Sequence, residues 1–212
     1  MLTFGISFTA FEGYLFRYDS YPLTSGNSQQ LGLTLSYPDI LSVSLTEVVK
    51  NVENTSAFKL LMLEYPGGVK IEKINLQTIF NGQIEVQFYQ ETSGRAFIFS
   101  ANGGPYHVSF GKWGTPTNPS FPQIQTREEL LEQIAFLGLQ WYYDRALEAY
   151  QNEVETTLEI TDLIITIQAV NHSDYPGLQL CLMGLQGDES HSRYAFSAYF
   201  SPDGTLIDFS AR

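Results

Sequence analysis

Asp188, Glu189 and His191 put two carboxylates and an imidazole within four residues. Such a cluster can hold a metal ion or pass a proton. It falls in a polar stretch between two strand-like runs, however, and that composition favours a hairpin loop over a site. His172 sits among Asn171, Ser173 and Asp174 ahead of Pro176 and Gly177, again a loop composition. His107 follows Tyr106 in a strand-like run, where a hydrogen-bonded structural histidine is expected. No two histidines stand at helical spacing, so no zinc-protease pattern exists and no metal site is expected.

Nucleophiles and phosphate cradles fare no better. Cys181 lies in the apolar run Leu180-Cys181-Leu182-Met183, with no polar neighbour to ionise it, and reads as a buried, inert thiol. Pro66-Gly67-Gly68 and Gly103-Gly104-Pro105 do not open helices, so they read as turns and not as anion-binding loops. There is no G-x-S-x-G. Glu72 and Glu85 look like carboxylates of a solvated strand face. The sequence therefore assigns no catalytic residue and no cofactor, and leans away from an enzyme.

The remaining chemistry is apolar contact. The strongest source is a long helix expected over 127–151, opened by the capping pair Thr126 and Glu129. Leu130, Ile134, Leu137 and Trp141 form one stripe on it. Beyond Gly138 the apolar positions shift to Leu139, Tyr142, Tyr143, Ala146, Leu147 and Tyr150, nearly opposite the first set. Either the helix breaks near Gly138 or it packs two layers at once. On the second reading Leu139, Tyr142, Tyr143 and Tyr150 are interface candidates. Tyr199 joins them from the aromatic-rich C-terminal strands, since exposed aromatic patches mark docking surfaces.

The elements that must position these residues are mostly strands. Alternating runs place strands at 2–10, 13–18, 31–36, 57–64, 69–79, 83–90, 95–100, 106–111, 157–170, 178–186, 193–200 and 205–210. Ser44 and Glu47 cap a short helix over 45–53, and Asn54, Thr55 and Ser56 end it. Between 69–79 and 83–90 a three-residue loop, Phe80-Asn81-Gly82, puts Ile74 and Leu76 on the face of Ile84, Val86 and Phe88. It also gives Gly82 the left-handed position. Pro202-Asp203-Gly204 is a tight turn.

The expected fold is α+β, with antiparallel β-meanders and one long and one short helix packed on the sheet. Residues 1–112 form a β-rich unit with a short helix, 113–125 a proline-rich linker, and 126–212 the long helix with the C-terminal meander. The two units can pack as one domain. Both run helix, then strands, then an aromatic ending (Arg95 to Ser100, Arg193 to Ser197), which suggests two α-then-β-meander repeats.

Composition bounds the function. Of 212 residues 43% are hydrophobic and 16% charged, which suits a folded chain. The net charge of −12 argues against direct nucleic-acid binding and against anionic membranes, and suits a basic protein as one class of partner. A single cysteine and no apparent signal peptide point to the cytoplasm. The expected function is a non-enzymatic protein–protein interaction module: a partner-binding, chaperone-like or inhibitor protein, with self-association as another outcome. The alternatives are an enzyme or ligand binder with an aromatic-lined pocket between the halves and, more weakly, an acidic nucleic-acid mimic.

Overall fold

Ser44 begins the first helix as its spacing to Glu47 predicts: the Glu47 N–H donates to Ser44 Oγ at 3.3 Å, and α1 runs Leu45–Glu53. Its buried positions, Leu45, Val48, Val49 and Val52, repeat every three to four residues and give it one apolar face. In the computed structural model, which describes residues 8–11, 14–17, 35–79, 82–90, 92, 95–102, 107–111, 127–154, 159–171, 176–187 and 193–212, a second helix follows at once.

That helix, α2 (Ser56–Glu64), occupies the segment expected as the strand 57–64. Thr55 ends α1 but also restarts the chain, because its hydroxyl accepts the Phe58 N–H at 3.1 Å. The segment Ala57-Phe58-Lys59-Leu60-Leu61-Met62 has no β-branched residue. Its buried members Ala57, Phe58 and Leu61 lie at helical and not alternating spacing.

Strands β1 (Phe8–Phe11) and β2 (Tyr14–Arg17) pair as a separate hairpin. The other eight strands are β3 (Lys70–Gln77), β4 (Gln83–Gln90), β5 (Arg95–Asn102), β6 (His107–Gly111), β7 (Asp162–Asn171), β8 (Pro176–Gln186), β9 (Arg193–Phe200) and β10 (Leu206–Ala211). They form one antiparallel sheet in the order β10-β9-β8-β7-β3-β4-β5-β6. This confirms the α+β class. Each meander runs outward from a shared seam, the antiparallel pair β3 and β7, so the strand order is the same on both sides.

The β3–β4 turn is longer than three residues. Leu76 pairs with Ile84 and Ile74 with Val86, which keeps the expected shared face, but Gln77 and not Ile79 meets Gln83. Thr78 has been drawn away by β7. Its N–H donates to the Leu163 carbonyl at 3.0 Å, and its hydroxyl donates to Asp162 and accepts the Leu163 N–H. Gly82 holds φ 83°, the left-handed geometry expected of it.

The long helix breaks. α3 (Arg127–Leu137) and α4 (Leu139–Glu153) meet at Gly138, with φ 82° and ψ 148°. The break reorients the chain, so Ile134 on α3 and Leu139, Tyr142, Tyr143, Ala146 and Tyr150 on α4 all reach the same core. The tight turn after β9 seats this elbow. Tyr142 Oη donates to the Pro202 carbonyl at 2.7 Å, and Gly204 lies close to the Trp141 ring, where a Cβ would stand 2.5 Å from it. Asp203 secures the turn by accepting the Thr205 N–H at 3.0 Å.

The four helices cover one face of the sheet. Under them lie Ile74, Leu76, Val86, Phe88, Phe97 and Phe99 from the first meander, and Leu163, Ile165, Ile167, Leu180, Leu182, Phe196 and Phe200 from the second. Phe58 of α2 packs on Phe88 and Phe99 with ring centroids 5.0 and 5.8 Å away. The linker 113–125 and Thr126 lie outside the described residues, as do positions 31–34 of the expected strand 31–36 and most of 1–34. No helix of the described residues is long and apolar enough to cross a membrane.

Candidate functional site on the open face of the sheet

Four of the five interface candidates, Leu139, Tyr142, Tyr143 and Tyr150, are 5% exposed or less. Their shift of stripe reflects the bend at Gly138 and not a docking face. Tyr143 Oη shares a 2.7 Å hydrogen bond with Tyr37 Oη, and burial pushes both Tyr142 and Tyr143 far above the ordinary phenol range. These are packing tyrosines with satisfied hydroxyls. The fifth, Tyr199, is half-buried on the opposite face of the sheet. Large apolar side chains that are exposed include Leu60 and Leu63 on α2 and Phe136 on α3, none of which the helical pattern singled out.

The face away from the helices follows from the alternation of strand residues. At its centre, on the seam, Asn75 stands opposite Thr166, whose hydroxyl donates to Asn75 Oδ1 at 2.9 Å. On either side of that pair is a cross-strand glutamine pair. Gln77 faces Gln83 between β3 and β4, with Nε2 donating to Oε1, and Gln168 faces Gln179 between β7 and β8. A two-fold rotation through the seam that carries Asn75 onto Thr166 also carries Gln77 onto Gln168 and Gln83 onto Gln179. Gln87 donates to Glu72 at 2.7 Å, and Lys73 meets Glu85 at 3.6 Å. Toward the β10 rim, Met183, Cys181, Tyr199 and Ser197 continue the face, and Ser197 and Ser210 share a 2.9 Å hydrogen bond.

The centre of this surface consists mostly of uncharged amides and hydroxyls, with Lys73 and Glu85 paired beside them. Its amides and hydroxyls are largely engaged with one another, which fixes their positions and leaves lone pairs and N–H groups facing outward. Interfaces for macromolecules share this depletion of charge, whereas small ligands select concave sites. Gln77 and Gln83 could have been paired from the sequence had the β3–β4 register been right, but the seam that relates this pair to Gln168 and Gln179 joins residues about ninety positions apart.

Cys181 lies in this face at 6% exposure, beside Tyr199. Burial pushes its thiol up to about 11 from 9.0. Its thiolate fraction at neutral pH is then about a hundredfold below that of a free cysteine, since only the thiolate reacts. Native protein is expected to label with iodoacetamide at least that much more slowly than urea-unfolded protein. Labelling followed by intact mass checks this, and equal rates would mean that the thiol is open to solvent.

Among the described residues no group of three or more His, Cys, Asp and Glu side chains is placed to hold a metal ion. The cluster Asp188 to His191 and His172 fall outside the described residues, and of His107 only the backbone is described. No protein-family model matches this chain, and neither a curated protein nor a solved structure matches it.

Proposed function

We propose that this protein is a non-enzymatic interaction module that engages another protein across the open face of its sheet. The observation that carries the reading is the paired, charge-poor layer centred on Asn75 and Thr166, in a chain whose net charge is −12. A surface kept low in charge on an acidic molecule can desolvate against a partner at modest cost. The rest of the acidic surface steers basic partners toward it. We place this activity in the cytoplasm, on the single cysteine, which leaves no disulfide pair within the chain.

The competing reading is an enzyme or ligand binder with an aromatic-lined pocket between the halves. The seam there is packed with Ile74, Leu76, Ile165 and Ile167, all 2% exposed or less, which favours the interaction module. The equal strand order of the two meanders and the matched glutamine pairs also support descent from a duplicated α-then-β-meander unit.

Native-lysate capture with mass spectrometry tests the function. Wild-type bait is expected to recover a protein partner. The double variant Gln77→Arg with Gln168→Arg is expected to lose it while still melting cooperatively, because both side chains are half-buried on the open face and not in the core. A retained small molecule with no protein partner, or a partner indifferent to both substitutions, overturns the proposal.

A further inference from the structure

β10 forms one rim of the sheet, and among the described residues no strand pairs with its outer side. The other rim, β6, is approached by β2. An edge strand offers unpaired N–H and C=O groups and tends to recruit another strand. Natural edges are commonly blunted by lysine or proline, and Leu206–Ala211 contains neither; Asp208 is its one charge.

The pairing with β9 fixes which groups face outward. The Arg212 N–H donates to the Ala195 carbonyl at 2.9 Å, so Asp208 and Ser210, at the same parity, point their backbone groups toward β9. Phe209 and Ala211 point theirs away from the sheet. The Phe209 N–H is nevertheless occupied, because it donates to Asp208 Oδ1 at 2.9 Å.

We propose that the outer edge of β10 is a docking surface for a second copy of this chain, held shut by the Asp208 carboxylate. A two-fold axis at Phe209 sets this residue opposite its own counterpart, and the N–H and C=O groups of the two form reciprocal bonds. In that register Asp208 stands opposite Ser210 of the copy and Ala211 opposite Ile207. No like charges face each other, and a hydroxyl donor meets the one carboxylate. This self-match selects a second copy over an unrelated strand. The Asp208 carboxylate takes the N–H that lies on the axis itself, so the central bond of the interface cannot form while it is in place. The net charge of −12 on each copy opposes approach as well.

Sedimentation velocity over a dilution series tests the inference, with circular dichroism melts to confirm that each variant is folded. Wild-type protein is expected to be monomeric. Asp208→Ala, or Asp208→Thr as a second variant at this exposed position, is expected to give a species of twice the mass. Adding Ala211→Pro removes an outward N–H without touching the β9 ladder and should restore the monomer. A wild-type protein already dimeric, folded Asp208 variants monomeric throughout, or a dimer that survives Ala211→Pro each overturn the proposal. Because β10 is a rim and the glutamine face is not involved, Gln77→Arg with Gln168→Arg should leave these masses unchanged.

Discussion

Phe88→Ala is expected to lower the unfolding free energy by about 3–5 kcal/mol, the usual cost of emptying a buried phenylalanine site. The ring is 2% exposed and meets Phe58 at 5.0 Å and Phe99 edge-on at 5.6 Å. Neighbouring side chains come from a paired strand and a capped helix, so the site has little freedom to collapse. Domain stabilities are about 5–15 kcal/mol, which makes this loss a large part of the whole. Urea denaturation followed by circular dichroism measures it. A loss below about 1 kcal/mol would mean that α2 does not press Phe58 onto the sheet at this point.

The second large effect comes from adding a single methyl group. Gly184 of β8 faces Phe196 of β9, and a Cβ there would stand 2.4 Å from Phe196 Cε1 and 2.7 Å from Ile160 Cδ1. Phe196 cannot yield easily, because Phe209 stacks on it at 6.1 Å and Tyr150 packs at 6.2 Å. Gly184→Ala is expected to cost about 1–3 kcal/mol through overpacking. Phe196→Leu is destabilising alone but opens the space the methyl needs. The double variant should therefore be more stable than the sum of the two losses predicts, and a double-mutant cycle by urea denaturation reads that coupling. Additive losses would mean that the methyl and the ring do not compete.

Local signals in the sequence reached most of the elements, and the misses share a cause. Ser44 with Glu47, the left-handed Gly82 and the turn Pro202-Asp203-Gly204 depend on neighbours a few residues away, and each stands as expected. The alternation in β3 and β4 found the right shared face. It could not find the register, because Thr78 is held by Asp162 and Leu163, which are far along the chain. The segment after Thr55 failed for a different reason: a threonine that ends one helix is chemically the same as one that starts the next. The candidate site was the least legible part. Its glutamines are unremarkable in each strand, and they form an arrangement only once β3 and β7 are side by side. The apolar helix positions that drew attention first belong to the core, since Gly138 turns two opposed stripes into one buried surface.

The seam also sets an order of assembly. Within each meander every strand pairs with its neighbour in sequence, so those pairings close short loops and can form early. The pair β3 and β7 is different, for it brings residues 73–77 against 164–168. Closing so long a loop is slow, and its entropy cost falls before any seam contact is made. Until the seam closes, each half-sheet has an unfinished inner edge carrying Ile74 and Leu76 or Ile165 and Ile167. Until these edges meet, the nascent chain carries two sticky strands suited to each other and to the matching strands of any neighbouring chain. The hazard of misassembly is therefore concentrated in the interval before the seam closes.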